Sequence, residues 1–319
     1  MTSLAGRSRK LFSTVLLLTL SAQVTAASCP GADSVALQWL DKMSRSSHEV
    51  NYHGVVTLER GDNMQVMQVS HSVVDGTASE SLTQLTGQGA QVVRVDHPLH
   101  CVHPGHRLLR IGEEMQSGDC GIAAHYRFAV GEGEGDRIAG RKAVLIQIEP
   151  RDMYRYGYIM ELDRETGLLL RARTQGRGQK TLERFQFANL SYTEEAPGAA
   201  SAEVVHRATH PDMSSSNDAS LPSSHWDIRW VPEGFTMTDE PKRQSTRKTY
   251  TDGLAVFSVF LEELSREIQP GEGVVRRGGT TSYTRGMRMS DQPVLVTVIG
   301  EVPLNTARMV ADSVTWVAQ

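Results

Sequence analysis

The sequence predicts a mostly-β α+β protein in two domains, and three observations carry that prediction. Segments alternating apolar and polar residues recur from Tyr52 to Leu190, which is the period of a half-buried strand. One amphipathic stretch precedes them at residues 33–46 and another closes the chain at 305–316. Between 194 and 224 the composition turns to Ser, Pro, Asn and Ala with few large apolar residues, the character of a linker. A length of 319 residues also favours two cores over one. The expected organisation is therefore a leader at 1–27, a large β domain at 28–193, the linker at 194–224 and a small α+β domain at 225–319.

The elements follow in order. Arg7, Arg9 and Lys10 make a basic start, residues 11–20 are a short apolar core, and Val24, Thr25 and Ala26 are small enough for cleavage. That is the pattern of a secretory signal peptide, too short to span a bilayer, so export to the periplasm is expected. Ala27 and Ser28 before Cys29 would also suit a lipoprotein, but Ala26 stands where that modification usually has an aliphatic residue. Residues 33–46 form a helix capped by Asp33 or Ser34, with Ala36, Leu37, Leu40 and Met43 on one face. Residues 52–60 and 64–74 make a hairpin across Gly61, Asp62 and Asn63.

Further strands are expected at 80–85, 91–96, 107–111, 142–149, 154–162, 168–174 and 181–190. In the most regular of these, every even position from 154 to 162 is apolar or aromatic: Tyr154, Tyr156, Tyr158, Met160 and Leu162. The odd positions are Arg155, Gly157, Ile159 and Glu161. Asp163 to Gly167 then reads as a turn with glycine at a positive φ. Such a meander, strongly curved, places its apolar face inside and lets the early helix cover it. The last segment has a strand running into a turn at Trp230–Phe235, a turn at Asp252-Gly253 followed by a strand within 250–261, strands at 280–288 and 293–302, then the closing helix with Ala307, Val310, Ala311 and Val314 on one side.

Composition excludes some functions. Net charge is −4 and pI about 6.3, whereas a general nucleic-acid binder is usually basic. His97, His100, His103 and His106 surround Cys101, and histidine is the commonest metal ligand. Pro98, Pro104 and Gly105 forbid a regular helix there, and no acid stands where a general base would. A solvated loop fits better than a metal site. The stretch from Gly131 to Gly135 lacks the GxGxxG spacing, and its two glutamates would repel phosphate. Neither GxSxG nor Walker A motifs occur. No catalytic residue, metal or cofactor is expected. Cys101 and Cys120 flank a hairpin or loop and are expected to be bonded, a closure of about 3 kcal/mol in the chain-entropy model.

The row Tyr154, Tyr156, Tyr158 reads either as core or as a binding surface, since alternation alone mostly reports burial. A resemblance bears on that choice. Arg155–Asp163 (RYGYIMELD), Thr166-Gly167-Leu168 and Leu182–Phe185 (LERF) are similar to the RseB/MucB family. So are Trp230–Phe235 (WVPEGF), Tyr250–Leu254 (YTDGL) with Phe257-Ser258-Val259, and Val298–Pro303 (VIGEVP). The resemblance covers nearly the whole chain after the leader. It implies an N-terminal half-open β-barrel like those of lipoprotein carriers, and a smaller C-terminal domain. It implies a periplasmic regulator that binds the periplasmic region of a membrane-anchored anti-sigma factor. Binding would shield that region from the site-1 protease, and lipid or lipopolysaccharide-like signals would relieve the protection.

On that basis Tyr154, Tyr156, Tyr158, Met160 and Leu162 are candidates to line a lipid pocket. Trp230, Phe235 and Tyr250 are candidates for the partner surface, although aromatics of this kind are as often core. The competing function is a periplasmic lipid or lipoprotein carrier, which would not need residues 225–319. Self-association is left open.

Overall fold

The computed structural model describes residues 33–74, 77–87, 91–95, 121–131, 136–193, 226–238, 246–265, 271–289 and 291–316. The leader, the linker, Cys29, the histidine cluster and the expected Cys101–Cys120 bond all lie outside these residues.

The chain enters through α1 (Ser34–Glu49), whose first free N–H is satisfied by its cap: Val35 N donates to Asp33 Oδ1 at 2.8 Å. Ala36, Leu40 and Met43, at helical spacing, are wholly buried. The strands β1 (Tyr52–Arg60), β2 (Asn63–Val74), β3 (Thr77–Gln84) and β4 (Gln91–Val95) then form a meander. A short α2 (Gly121–His125) leads into β5 (Tyr126–Val130), followed by β6 (Arg137–Ile138), β7 (Arg141–Pro150), β8 (Gly157–Asp163), β9 (Leu169–Gln175) and β10 (Thr181–Tyr192). They make one antiparallel sheet in the order β4-β3-β2-β1-β10-β9-β8-β7-β5, with β6 paired to β7; the ends do not meet. The mostly-β, half-open architecture expected from the sequence is thus present.

One face of this sheet is apolar from β3 across to β5. Val69 on β2, Val56 and Leu58 on β1, Phe185 and Phe187 on β10, Met160 and Leu162 on β8, Ile146 and Ile148 on β7, and Phe128 on β5 share one core with α1. Gly54 is required in β1 because a Cβ there would lie 2.3 Å from the Asn189 carbonyl oxygen, at the point where the β1–β10 register shifts. The turn after β8 uses Gly167 at φ +85°, as its sequence predicts.

The second domain begins with β11 (Trp226–Ile228). It continues through β12 (Thr236–Met237), β13 (Arg247–Thr251), β14 (Val256–Glu263), β15 (Glu272–Arg277), β16 (Thr280–Met289) and β17 (Gln292–Gly300). Its sheet runs β12-β13-β14-β17-β16-β15. α3 (Leu304–Asp312) packs Thr306, Ala307, Val310 and Ala311 onto it, and β18 (Val314–Trp316) returns to pair with β11. The closing helix is therefore shorter than expected: its last residues become a strand because Trp316 pairs across with Trp226. At Trp230–Phe235 the expected turn is present at Gly234, but the segment leading into it is irregular and not a strand. The strand expected to start at Tyr154 starts at Gly157.

The polar face of the large sheet carries a buried carboxylate. Asp163 accepts from Arg141 Nε at 2.9 Å, from the Tyr192 hydroxyl at 2.5 Å and from the Glu165 N–H at 2.9 Å. Burial alone would raise its pKa, but the bonds from Arg141 and Tyr192 hold it below the ordinary carboxylate range. Burial, and then Asp163 itself, push the Tyr192 hydroxyl up. Because the folded-state pKa of Asp163 is depressed, its stabilisation is present above the unfolded value of about 3.9 and fades as pH falls through the folded value. Asp163→Asn should therefore lower the urea midpoint at neutral pH and flatten its decline in acid. Parallel midpoint-versus-pH curves for the two proteins would show that this carboxylate is uncoupled from folding.

Candidate functional site

The two domains meet through the connection between β7 and β8, residues 151–156. Pro150 ends β7, and Arg151 N donates to the His125 carbonyl at 2.9 Å, turning the chain out of the sheet. Asp152 Oδ1 accepts from Tyr154 N at 2.8 Å and tightens the turn. The next side chain, Arg155, is driven entirely into the second domain.

Arg155 and Asp252 have fully buried side chains, and Arg155 Nε donates to Asp252 Oδ2 at 2.6 Å. The other guanidinium arms reach Asp152 and the Glu233 carbonyl. The same Asp252 oxygen accepts from the Tyr126 hydroxyl at 3.0 Å, while Oδ1 accepts from the N–H groups of Leu254 and Ala255 at 3.0 and 2.7 Å. The guanidinium sits 5.0 Å from the Phe235 ring centroid and 5.9 Å from that of Tyr126. Burial, and next the Asp252 charge, push the Tyr126 hydroxyl well above its ordinary pKa, so it stays a donor at any working pH.

Around this pair the backbone of the connection is also held. Thr306 Oγ1 donates to the Tyr154 carbonyl at 3.0 Å, Asn305 Nδ2 to that of Met153 at 3.3 Å, and the Tyr156 hydroxyl to that of Val302 at 3.1 Å. The Tyr154 ring meets Trp230 edge-on at 5.2 Å. Gly234, at φ +84°, lies so close to His125 that a Cβ would stand 2.0 Å from its Nε2. The 151–156 connection is thus a plug from the large domain seated in a socket of the small one.

Beside the plug a groove of about 730 Å³ runs between the domains. The β7–β8 and β9–β10 connections form one wall, and Arg276, Pro303, Leu304 and Asn305 form the other. Its volume lies in the range of ligand clefts.

The structure separates residues that the sequence grouped. Tyr158, Met160 and Leu162 do belong to the buried apolar face of the large sheet. Tyr156 belongs to the same cluster and also reaches the small domain through its hydroxyl, whereas Tyr154 lies outside the cluster, against Trp230 in the interdomain seam. Phe235 and Tyr250 are 6% exposed and pack against Phe257 at 5.1 and 5.4 Å, so both are core of the small domain and present no surface to a partner. Trp230 is half-buried against Tyr154. Sequence reasoning missed Arg155 and Asp252, because a charge in an alternating stretch reads as a solvated position. The signal available was a lone arginine between two tyrosines in a segment bounded by proline and glycine.

Comparison with known proteins follows this geometry. The family model of the MucB/RseB N-terminal domain matches residues 35–208, and that of the C-terminal domain matches 220–315. The sigma factor AlgU regulatory protein MucB of Pseudomonas aeruginosa is 32% identical over 321 residues, spanning 94% of this chain and 96% of that protein. A crystal structure of MucB in complex with MucA(peri) covers 89% of this chain and 100% of its own, with 32% identity and a TM-score of 0.70. A crystal structure of MucB, at 32% identity over 90% of this chain and 100% of its own, gives 0.57.

Removing one member of the buried pair strands the other charge, so Asp252→Ala should cost about 3–5 kcal/mol in denaturant unfolding. A double-mutant cycle with Arg155→Met should return a coupling of at least about 1 kcal/mol, and additive losses would mean that the pair does not couple the domains.

Proposed function

The chain belongs to the MucB/RseB family, and on that premise we propose that it is a periplasmic regulator which binds the periplasmic region of a membrane-anchored anti-sigma factor. Bound in this way, the partner's cleavage segment is kept from the protease that would start its degradation. The observation that carries this reading is the groove walled by both domains, with residues of the plug in its lining. A ligand lying there contacts both domains at once, which a carrier working through the large domain alone would not need. The relative that crystallised with MucA(peri) supports the same reading. The leader at 1–27, the linker at 194–224 and the Cys101–Cys120 bond belong to this proposal as parts of an exported two-domain sensor.

Release by a lipid-like signal completes the proposal. Tyr158, Met160 and Leu162 are buried in the one cluster that α1 also joins, so the apolar face is closed as it stands. An acyl chain would have to lift α1. The helix is held there by Leu40 and Met43, each giving about 1.5–3 kcal/mol, and by contacts such as Lys42 Nζ to the Arg164 carbonyl at 3.0 Å. A chain burying ten methylenes would gain about 8 kcal/mol, enough to replace the helix. By linkage, a partner that favours the closed state must equally weaken lipid binding.

Two measurements test this. The purified periplasmic region of the anti-sigma factor, digested by the site-1 protease, should survive at least about tenfold longer with the protein present. Equal decay rates would sink the regulator and leave the carrier. For the lipid arm, Trp39 on α1 stacks near Lys42 and reports helix displacement. With Trp226, Trp230 and Trp316 changed to Phe, adding lipopolysaccharide should shift the Trp39 emission to the red. An unchanged spectrum at concentrations that release the partner would remove the wedge mechanism.

A further inference from the structure

The groove beside the plug is unevenly charged. Arg173, Arg177, Lys180 and Arg276 line it, from both domains. Its lining carboxylates are already engaged: Glu149 with Arg127 at 3.4 Å, and Asp152 with Arg155. Arg173 lies 3.7 Å from Glu161, whose carboxylate is also gripped by Arg171, and the buried Arg173 Nε has no acceptor. Arg177 and Lys180 have no carboxylate partner among the described residues, and Arg276 reaches only the Tyr156 hydroxyl, at 3.5 Å. Four cations therefore line a trough whose two lining carboxylates, Glu149 and Asp152, each stand beside an arginine.

Resting on the regulator reading above, we infer that this trough holds an extended acidic segment of the partner polypeptide, with its carboxylates on Arg173, Arg177, Lys180 and Arg276. A polypeptide fits better than a phosphorylated lipid headgroup for two reasons. The cations come from both walls of the trough, Arg173, Arg177 and Lys180 from the large domain and Arg276 from the small one. At equal identity, the chain superposes more closely on the structure of MucB in complex with MucA(peri), TM-score 0.70, than on the crystal structure of MucB, 0.57. Guanidinium groups pair carboxylates in two-pronged fashion, so the contacts set register as well as affinity. They also tie partner binding to domain arrangement, because Arg276 comes from β15 and the other three from the large domain.

The test uses the full-length protein with Arg177→Glu/Lys180→Glu, and separately Arg276→Glu, all exposed positions away from the buried pair. Affinity for the purified periplasmic region of the anti-sigma factor is measured at low and high salt, beside binding of phosphatidylglycerol vesicles and of inorganic phosphate. The double variant should bind the partner at least about tenfold more weakly, with a flatter salt dependence and an unchanged melting temperature. Should it melt early, the Gln pair at the same positions must reproduce the loss for the inference to stand. Unchanged partner affinity overturns it, as does a loss confined to vesicles or phosphate, which would make the trough a headgroup site. If the unaltered protein fails to bind the partner at all, the regulator reading itself has failed; if it binds and the reversed variant binds equally, only the groove inference has.

Discussion

A guanidinium withdrawn from water decides how the two sheets sit. Arg155 is costly to bury alone, and its cost is offset only where Asp252, Asp152, the Glu233 carbonyl and two aromatic rings converge. Apolar surfaces would tolerate sliding. A charge with directional partners does not, since a small displacement leaves it unpaired in a low-dielectric seam. Asp252 is equally committed, taking donors from both domains and from its own turn. The orientation of the small domain is thus set by hydrogen-bond geometry, and the groove inherits its width from it.

The large domain is organised on the opposite principle. Its apolar face is held chiefly by area and shape, with α1 packed into the same core. Such a surface can exchange one apolar occupant for another at modest cost, whereas the seam cannot. A molecule with one exchangeable face and one rigid joint is suited to receive a signal in the first and present its consequence at the second. The seam touches the large sheet through β5, β7 and β8, which also contribute Phe128, Ile148 and Met160 to the concave core. Displacement on one side therefore has a packed route to the other.

Much of this was legible in the residues. Period-two alternation marks β1, β2, β7, β9 and β10 within a residue or two, and the Asp33 cap and the Gly167 turn declare themselves by chemistry. The seam was not legible. The alternation from Tyr154 to Tyr158 imitates a strand, but its first half obeys another rule: Arg155 seeks an acid nearly a hundred positions later, and the tyrosines follow it into the socket. No local pattern encodes Asp252 as that partner. Likewise Phe235 and Tyr250 advertise aromatic surface in one dimension and turn out to be core, because what covers an aromatic is a tertiary fact. β15 escaped notice because every residue in it is exposed and neither face shows a hydrophobic period.

The plug spans only a few residues, and its length is dictated at both ends, by two adjacent strands of one sheet. Adding or deleting a residue there would rotate Arg155 away from its socket while leaving the hairpin itself intact. Natural relatives that keep the two-domain seam should accordingly show no insertions in this connection, while the β1–β2 turn around Gly61 is free to vary in length. Lineages that lengthened it would have uncoupled their domains, and comparing them would trace where this mode of regulation was acquired or lost.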